Sequence, residues 1–428
     1  MVDVTAVIIA GGLGTRSQNP SIPKSLQEIN DVPLLDLQLA QIHESGIRNV
    51  LLVLNYRAKE IVNRVEKLRQ SGPLSELSVK YLIENERRGT LGAFRLAASA
   101  IGDKPMIIVL GDILFSFNLL SVYRRFLQSN AKLGLVVHPN SHPFDSDLAI
   151  TTWPAKRIDS ISFKSQHRDD SLPINNLAIA GVYFFDGASV VAIPDVSGDF
   201  VRDFVALEIA QNPGSVIALN TVHLCMDVGT HDRLERAEKL VRILENRGKW
   251  QSKLRVLFCD LDDTLIPNVE VKDISRKVEV NPQVCFVLRE LNELLVPIIV
   301  ISNQPGIAKG FFSWQQLQSF VATLETSCGV RDCHIDAWYF CPHHPESGWV
   351  GEVRELKLDC TCRKPKTGLV FQATEDLEID YINSVMIGNS YSDAKLAETL
   401  GMRFIDTGTD YNQQRLIEAL KLAKRVLT

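Results

Sequence analysis

The sequence predicts an α/β protein built from two doubly wound domains. Apolar, β-rich runs alternate with helix-like segments along most of the 428 residues, as in parallel sheets that are covered by helices. Two of these runs, "AVIIAGGLGTR" at 6–16 and "FCDLDDTLIP" at 258–267, pass from a buried strand straight into a loop of glycines or aspartates. A polar amphipathic helix at 232–250 separates the two series. We therefore assign residues 1–245 to the first domain and residues 253–428 to the second.

The first domain opens with strands and helices in close succession. "VTAVIIAGG" is a strand that ends in glycines, and "LLDLQLAQIHESG" has helical spacing followed by a glycine stop. "NVLLVLN" and "PMIIVLGD" are two further strands. This order predicts a mostly parallel sheet with covering helices, because parallel strands need a crossover between them.

The second domain repeats the alternation with its own opening strand. "LRVLFCD", "VPIIVISN" and "SVMIGNS" are predicted strands, and each leads into a helical segment. Those segments are "PQVCFVLRELNELL", "WQQLQSFVATLETSCG" and "YSDAKLAETLG", and a last helix follows at "NQQRLIEALKLAKRVL". Each domain thus opens with its own strand, which leads into a loop of candidate catalytic residues.

Composition narrows the classes of function. The net charge is −5 and the pI is about 6.0, which argues against nucleic acid or an anionic membrane as a partner, since both require a basic surface. No apolar run approaches the length of a membrane span, and the N-terminus lacks the basic segment of a signal peptide. We therefore expect a cytoplasmic protein whose partners are small molecules. The oligomeric state stays open, and a homo-oligomer is compatible with the sequence.

The loop after the first strand carries glycines and two cations in series. Glycines let backbone N–H groups approach phosphate oxygens without a Cβ in the way, and Arg16 and Lys24 supply positive charge that matches a phosphate. The spacing is neither that of a Walker loop nor G-x-G-x-x-G. A plain strand-to-helix glycine turn is the alternative interpretation. The candidate nucleotide-binding residues of this loop are Gly11, Gly12, Gly14 and Thr15.

This G-G-x-G-T-R motif, followed by Pro-Lys, resembles the sugar-phosphate nucleotidyltransferases over roughly residues 3–240. The resemblance implies a Rossmann-like sheet and a nucleotide that lies close to Gly89 and Thr90 in "ENERRGTLGA". It also implies a Mg²⁺ ion that is held by Asp112 in "VLGD" and Asp227 in "MDVGT".

The reaction that this resemblance implies joins two anions that repel each other. An oxygen of a sugar 1-phosphate attacks the α-phosphorus of an NTP, and pyrophosphate leaves. We assign Arg16 and Lys24 catalytic roles, because they would neutralise charge at the phosphorus. The family's Glu-Lys-Pro segment is missing, so Lys164 in "SFKSQ", together with Asn176 and Gly181, supplies the candidate sugar-side contacts. A solvated surface lysine is the alternative interpretation of Lys164.

Asp260 and Asp262 belong to "DLDDT", a D-x-D-x-T motif at the end of an apolar strand. The motif resembles that of the haloacid dehalogenase (HAD) superfamily of phosphohydrolases. The resemblance implies a HAD-like Rossmannoid sheet, with Asp260 as the nucleophile that forms an aspartyl-phosphate and Asp262 as the general acid and base. Both carboxylates are also candidate Mg²⁺ ligands. An acidic strand end or a calcium loop is the alternative.

Further HAD-like pieces follow in the order of that superfamily. Ser302 in "VISNQPG" would hold the phosphoryl group, and Lys364 in "CRKPKTG" would clamp it. The segment "IGNSYSD" departs from the usual G-D-x-x-x-D, because Asn389 replaces the first acid and Asp393 remains as the second. An asparagine still offers Mg²⁺ a neutral oxygen, so we count Asn389 and Asp393 among the metal ligands. We expect either weaker metal binding or a larger share of the metal binding for Asp393.

Cys341, His343, Cys360 and Cys362 form a C-x-H…C-x-C set. In a reducing compartment such a set indicates a metal rather than disulfides. Three thiolates and one imidazole suit a tetrahedral zinc ion with no open position, which is a structural site. His344 is a rival ligand. We interpret the remaining cysteines as ordinary buried thiols: Cys225, Cys259, Cys285, Cys328 and Cys333.

The cysteine segments narrow the resemblance within the HAD superfamily. "SNQPGIAKG", "CPHHPE" and "CTCRKPKTG" resemble the heptose 1,7-bisphosphate phosphatases and, nearly as much, the histidinol-phosphate phosphatases, over about residues 254–410. The resemblance implies that Asn303, Gln304 and Arg363 contact the substrate.

Together the two resemblances imply a bifunctional enzyme of nucleotide-activated heptose synthesis. The phosphatase would convert heptose 1,7-bisphosphate to heptose 1-phosphate, and the transferase would join that product to a nucleotide, with GTP as the implied nucleotide for the α-anomer. One alternative is a transferase for another hexose 1-phosphate that is fused to a histidinol-phosphate-like or other sugar-phosphate phosphatase. Another is a second half that is reduced to a regulatory binding module, for which Asn389 is the reason.

Overall fold

Two β-sheets, one in each half of the chain, organise the protein in the computed structural model. The structure describes residues 4–12, 22–70, 72–166, 173–187, 193–248, 250–267 and 278–428. Within these ranges no helix combines the length and the apolar character that crossing a lipid bilayer requires.

The first half contains a nine-stranded mixed sheet, in the order β5–β4–β1–β6–β11–β8–β12–β10–β9. Strand β1 pairs in parallel with β4 and β6, whereas β11 runs antiparallel to β6 and β8. The sequence predicts a mostly parallel sheet, and the difference arises because short connections such as the β9–β10 hairpin reverse the chain. The strands of this half are β1 (Thr5–Ile9), β2 (Glu28–Ile29), β3 (Val32–Pro33), β4 (Asn49–Leu54), β5 (Ser78–Ile83), β6 (Met106–Leu110), β7 (Ile113–Phe115), β8 (Leu133–His138), β9 (Leu148–Thr152), β10 (Arg157–Ser162), β11 (Ala178–Phe185), β12 (Val216–Asn220) and β13 (Cys225–Asp227).

Helices cover both faces of this sheet. Those described are α1 (Leu34–Glu44), α2 (Ala58–Arg69), α3 (Gly89–Ile101), α4 (Leu119–Gln128), α5 (Ala206–Gln211) and α6 (His231–Arg247). Helices α1, α2 and α4 bury their apolar sides in one core, and α3 and α5 bury theirs in a second core on the opposite face. In the second core the ring of Phe94 stacks on Phe200 with centroids 3.9 Å apart.

The second half is a five-stranded parallel sheet in the order β16–β15–β14–β17–β18. Its strands are β14 (Leu257–Cys259), β15 (Ile298–Asn303), β16 (Ala337–Cys341), β17 (Val385–Gly388) and β18 (Arg403–Asp406), and its helices are α7 (Pro282–Glu293), α8 (Trp314–Gly329), α9 (Gly368–Leu377), α10 (Tyr391–Leu400) and α11 (Gln413–Leu427). Successive residues of β14 point to opposite faces. Accordingly Leu257 and Cys259 pack with α7, α8 and α11, whereas Phe258 packs with α9 and α10.

The carboxyl ends of the strands bring the motif residues of the second half together. Asp260 follows the central strand β14, Ser302 lies near the end of β15, and Asn389 follows β17. The chain leaves β14 towards β15 on one side and returns to β17 on the other, so this end is the topological switch point where α/β proteins bind ligands.

Hydrogen bonds join the two halves. The backbone N–H of Asn176 donates to the buried Glu325 Oε2 over 2.9 Å. Within the second half, the indole N–H of Trp338 donates to Glu325 Oε1 over 3.0 Å. Asn220 Nδ2 donates to the carbonyl oxygen of Asp336 over 3.0 Å. Burial raises the pKa of Glu325 to about 7, although both hydrogen bonds act in the other direction.

The raised pKa of Glu325 predicts a pH-dependent stability. The folded state holds this proton more tightly than an unfolded chain, where the pKa of a glutamate is about 4.3. The stabilisation is complete below that value and is lost as the pH rises through the folded pKa of about 7. We therefore expect Glu325→Gln to gain resistance to urea relative to the wild type between pH 5 and 8. The exposed Glu355→Gln is the matched control, and an equal pH response in all three proteins would contradict the prediction.

Candidate active sites

The first site begins at the glycine turn that follows β1. Gly11 and Gly12 are described, whereas the predicted nucleotide residues Gly14 and Thr15 and the predicted catalytic cation Arg16 lie outside the described residues. A Cβ on Gly11 would lie 3.2 Å from Asn55 Cβ, so the turn packs closely against the end of β4.

Lys24 and the two predicted metal carboxylates converge on one point of this site. Lys24 Nζ donates to Asp112 Oδ2 over 3.1 Å. Asp227 ends strand β13, which pairs with β7 directly after Asp112. A Cβ built on Gly229 would lie 3.3 Å from both Asp227 Oδ1 and Lys24 Nζ, and 3.9 Å from Asp112 Oδ2. The fold therefore brings together three residues that are separated by up to two hundred positions.

The chemistry of this group fits a magnesium ion. Asp112 and Asp227 are partly exposed carboxylates that face a shared space, and hard oxygen donors of this kind are the protein ligands that Mg²⁺ takes. Arg233, from the first turns of α6, forms an ion pair with Asp227. No family motif marked Arg233, and its contact depends on how α6 follows strand β13.

Gly89 and Thr90 begin helix α3. Gly89 has a φ of +74°, and a Cβ there would lie 2.2 Å from the carbonyl oxygen of Gly198, so only glycine fits. The hydroxyl of Thr90 accepts a hydrogen bond from the backbone N–H of Phe200 over 2.8 Å. The pair therefore anchors the 198–200 segment to the start of α3.

A cavity of about 400 Å³ adjoins the two carboxylates. Asp112, Asp227, Lys164 and Gly181 line it, and so do residues of the second half, including His334. Lys164 and Gly181 thus line the same cavity as Asp112 and Asp227.

Asn176, the other candidate sugar contact, is buried and is not among the residues that line this cavity. Its side chain accepts from Asn140 N over 3.1 Å and donates to Asn140 O over 2.8 Å. These bonds hold two loops together, which is a structural role.

The second site is centred on Lys364, whose side chain is only 2% exposed. Its ammonium lies 2.6 Å from Asp260 Oδ1 and 2.7 Å from Asp393 Oδ1, and it donates to the carbonyl oxygen of Ile301 over 2.9 Å. Burial raises the pKa of Asp260 to about 7; the negative charge of Asp393 acts in the same direction, and Lys364 acts in the opposite one. One buried cation therefore faces two buried acids.

The hydrogen-bond partners of Asp262 differ from those of Asp260. Gln304 Nε2 donates to Asp262 Oδ2 over 2.8 Å and to Ser302 Oγ over 3.1 Å. Burial raises the pKa of Asp262 to about 6, and the Gln304 hydrogen bond opposes this shift. Asp260 thus has a charged group as its direct partner, whereas the hydrogen-bond partners of Asp262 are the neutral side chains of Gln304 and Ser302.

Asn303 holds the lysine loop in place. Its Nδ2 donates to Lys364 O over 3.1 Å, and its Oδ1 accepts from Lys364 N over 2.9 Å. The side-chain amide of Asn303, which was predicted to contact substrate, thus makes hydrogen bonds to the backbone of Lys364 instead. Arg363, the neighbouring prediction, donates to the carbonyl oxygen of His343 over 3.4 Å.

Asp393 is fully buried in the first turn of α10. Its Oδ1 pairs with Lys364, and its Oδ2 accepts from Ser390 Oγ over 2.7 Å and from Ser390 N over 3.2 Å. Both oxygens therefore have protein partners. Asn389 follows β17 and is partly exposed at the same sheet edge.

The predicted C-x-H…C-x-C set, called the cysteine–histidine clip from here on, is assembled as one cluster. The ligand atoms of Cys341, His343, Cys360 and Cys362 all lie within 4.8 Å of one another. The Cys341 and Cys360 sulfurs are 3.5 Å apart, and His343 Nδ1 is 3.2 Å from the Cys362 sulfur. These distances exceed a disulfide bond, and the donor set fits a metal ion.

The rival ligand His344 is not part of this cluster. Its Nδ1 lies 3.4 Å from the carbonyl oxygen of Glu346, and its ring packs edge-on against Trp349. The clip joins the end of β16 to the loop that carries Lys364.

Comparison with known proteins assigns each half to a family. The nucleotidyl transferase family matches residues 5–242, and the HAD-hydrolase-like family matches residues 361–426. The chain is also 36% identical over 144 residues to the D-glycero-beta-D-manno-heptose-1,7-bisphosphate 7-phosphatase of Haemophilus influenzae, which covers 33% of this chain and 74% of that protein. The chain belongs to the nucleotidyl transferase family and, in its HAD-like part, to the heptose-bisphosphate phosphatases.

Other relatives and structures resemble the same two parts. The enzyme of the same name from Escherichia coli K12 is 34% identical over 142 residues, covering 33% of this chain and 72% of that protein. The D-glycero-alpha-D-manno-heptose-1,7-bisphosphate 7-phosphatase of Photorhabdus laumondii is 31% identical over 151 residues, covering 35% of this chain and 80% of that protein. HddC from Yersinia pseudotuberculosis superposes with a TM-score of 0.46 and 24% identity, covering 55% of this chain and 98% of that one. A putative glucose-1-phosphate thymidylyltransferase from Bacillus anthracis does so with a TM-score of 0.47 and 17% identity, covering 56% of this chain and 95% of that one.

Two features of this nucleotidyl transferase and phosphatase escaped sequence reasoning. Arg233 binds a predicted metal carboxylate of the transferase half. His334 and Asp336, from the phosphatase half, line the cavity of the transferase half. No local pattern could reveal the second feature, because these residues lie more than one hundred positions from the nearest transferase motif.

Proposed function

We propose that the chain is a bifunctional enzyme that removes the 7-phosphate from heptose 1,7-bisphosphate and then activates the resulting heptose 1-phosphate with a nucleotide. The observation that carries the proposal is the presence of both family matches on one chain. A phosphatase that spares the 1-phosphate makes the substrate that a sugar-phosphate nucleotidyl transferase consumes. The contact of 2.6 Å between Lys364 and Asp260 supports phosphate chemistry in the second half.

In the phosphatase half, Asp260 attacks the phosphorus of the 7-phosphate, and the sugar oxygen leaves with a proton from Asp262. This step forms an aspartyl-phosphate and heptose 1-phosphate. Asp262 then takes a proton from water, which attacks the aspartyl-phosphate and releases inorganic phosphate. Lys364 balances the charge of the phosphoryl group, Ser302 holds one of its oxygens, and Gln304 orients Asp262.

Several residues of the phosphatase half would hold a Mg²⁺ ion, which supplies charge neutralisation at the phosphoryl group. Asp260, Asp262 and Asn389 offer oxygen donors at one sheet edge. We assign Asp393 mainly to Lys364, because both of its oxygens are already in contact with protein groups.

In the transferase half, the 1-phosphate oxygen of the heptose attacks the α-phosphorus of the NTP, and pyrophosphate leaves. Lys24 neutralises charge that builds up on the phosphoryl oxygens. Asp112 and Asp227 would hold the Mg²⁺ ion that neutralises the phosphates, and Arg233 orients Asp227. Backbone N–H groups of the glycine turn that begins at Gly11 would bind the phosphates, and Lys164 and Gly181 would contact the sugar.

The cluster of Cys341, His343, Cys360 and Cys362 is proposed to hold a structural zinc ion. We expect one zinc per chain, which mass spectrometry of the purified protein would count. Cys360→Ser should lose the zinc and lower both the melting temperature and the phosphatase rate, because the loop that carries Lys364 is then no longer tied to β16. His344→Ala is the control, since His344 lies beside the cluster without joining it. Retention of zinc by Cys360→Ser would refute the assignment.

A substitution at Asn389 tests the metal site through an expected gain of function rather than a loss. We expect Asn389→Asp to lower the Mg²⁺ concentration that gives half-maximal phosphatase rate, because a carboxylate binds a hard cation better than a neutral amide does. Asn412→Asp is the control, since Asn412 caps α11 through its side-chain oxygen and aspartate caps equally well. An unchanged or higher Mg²⁺ requirement in Asn389→Asp would argue against a ligand role for this position.

The deciding experiment supplies both anomers of heptose 1,7-bisphosphate with each of the four NTPs and follows phosphate and pyrophosphate separately. The expected result is phosphate release first and then pyrophosphate release with GTP and the α-anomer. We propose GTP because the manno-heptose route that these families resemble uses it for the α-anomer. Pyrophosphate with ATP and the β-anomer would overturn the nucleotide assignment alone.

The same experiment separates the alternative functions. If phosphate is released only from histidinol phosphate or from another sugar phosphate, that compound and not the heptose bisphosphate is the substrate of the phosphatase half. Absence of phosphate release from every substrate under excess Mg²⁺ would favour a second half that only binds ligands. Pyrophosphate release without any sugar phosphate would contradict the transferase mechanism.

A further inference from the structure

Three cysteines of the phosphatase half come together in its core. Cys285 lies in α7, Cys328 lies in the last turn of α8, and Cys333 lies in the turn that follows. Their sulfur atoms all lie within 4.8 Å of one another. None of the three residues exposes more than 1% of its surface. The sequence alone gave no reason to group them, because Cys285 is more than forty positions from the other two.

Backbone carbonyl groups contact two of these three thiols. The backbone N–H of Cys333 donates to the carbonyl oxygen of Cys328 over 3.1 Å, and the Cys333 sulfur contacts the same oxygen at 3.5 Å. The Cys285 sulfur contacts the carbonyl oxygen of Val280 at 3.7 Å. The turn between α8 and Cys333 therefore closes the group rather than leaving its members free to separate.

A fixed cation lies in the same turn. The guanidinium of Arg331 donates to Ser327 O over 2.9 Å and to Ser327 Oγ over 3.1 Å, and it pairs with Glu279 at 2.8 Å. Ser327 precedes Cys328, and Arg331 lies two residues before Cys333. Because the thiolate is the form of cysteine that binds metals, the positive charge of Arg331 favours that form, and the carboxylate of Glu279 offsets part of this effect.

The donor set restricts which ion would bind. In the described part of the chain, no fourth histidine, cysteine or acidic ligand joins the three sulfurs, whereas the clip of the same half has four ligands. Structural zinc requires four ligands, and iron–sulfur clusters are held by four cysteines. A buried apolar pocket does not readily supply water as the fourth ligand. Thiolates select Cu(I) among the remaining ions.

We propose that Cys285, Cys328 and Cys333 form a second metal site, which binds one Cu(I) ion through three thiolate sulfurs. Binding releases the three thiol protons and leaves a complex of net charge −2 beside Arg331. The site is separate from the zinc clip and does not depend on the proposed function.

This site would stiffen the part of α8 that contacts the transferase half. A Cβ on Gly329 would lie 2.7 Å from Pro143 Cγ, so the end of α8 packs directly against that half. On the same helix, Thr326 Oγ1 accepts a hydrogen bond from Ile174 N over 2.9 Å. Cu(I) held between α7 and the end of α8 should therefore raise the melting temperature of the whole chain.

The test titrates Cu(I) without oxygen into the full chain whose clip is loaded with zinc, against a Cu(I)-specific chelator of known affinity. The expected result is uptake of one Cu(I) per chain without zinc release, and X-ray absorption of copper that reports three sulfur neighbours. Each of Cys285→Ser, Cys328→Ser and Cys333→Ser should weaken Cu(I) binding by more than the roughly 10- to 100-fold that loss of an outer-shell partner costs.

Cys225→Ser is the matched control, because Cys225 is another buried cysteine but lies alone in β13 of the transferase half. Its Cu(I) affinity should equal that of the wild type. The proposal fails if copper enters only with release of zinc, if the sulfur count differs from three, or if the three variants keep wild-type affinity. The absorption measurement needs no variant, so it remains decisive if a serine variant does not fold.

Discussion

Replacing Asp260 by asparagine is expected to lower phosphate release from heptose 1,7-bisphosphate on the order of 10⁶-fold, the scale seen when the catalytic nucleophile of a hydrolase is removed. An amide cannot form the aspartyl-phosphate, and it also removes one of the two carboxylates that face Lys364. Pyrophosphate release from GTP and heptose 1-phosphate should stay unchanged, since the transferase chemistry uses other residues. Phosphate and pyrophosphate are measured on the same preparation, so each activity reports that the other half is folded.

Asp263→Asn is the matched control for this experiment. Asp263 lies in the same loop with a φ of 56°, a conformation that asparagine tolerates. It should keep most of the phosphatase rate. Equal loss in both variants would show that the loop, rather than the Asp260 carboxylate, is what the substitution damages. Full activity in Asp260→Asn would overturn the nucleophile assignment.

Replacing Asp112 by asparagine is expected to lower nucleotidyl transfer by roughly 10²- to 10³-fold, the scale of losing one preorganised electrostatic contact in a transition state. The substitution removes a carboxylate from the group that Asp227 and Lys24 complete, and it leaves Lys24 without its partner at 3.1 Å. Extra Mg²⁺ should recover part of the rate, because weaker metal binding is the main cause. Phosphate release from the bisphosphate should not change.

The control for Asp112 lies at the opposite end of the same strand. Asp103 is exposed just before β6, whereas Asp112 follows it, so Asp103→Asn changes the charge of the chain equally without touching the site. Its pyrophosphate release should match the wild type. If excess Mg²⁺ restores none of the activity of Asp112→Asn, the carboxylate acts in some way other than metal binding.

Much of each site could be predicted because its residues directly follow strands. Asp260 after β14 and Asp112 after β6 are examples, since an apolar run that ends in an acid places that acid at a sheet edge. The four-ligand clip could also be predicted from the sequence, because the two ligands of each pair lie close together in the chain. The mixed direction of the first sheet was not, since periodicity identifies strands but carries no information on which neighbour each strand pairs with.

Sequence by itself therefore determined the inventory of this protein: two α/β halves, with acids and cations after their strands and a cysteine–histidine clip in the second. Only the tertiary structure decided which of these side chains contact one another. It shares Lys364 between Asp260 and Asp393, turns Asn303 towards the lysine backbone, and gathers Cys285, Cys328 and Cys333. The physical reason is that a motif is a local property of the chain, whereas a side-chain contact depends on how distant elements pack against one another.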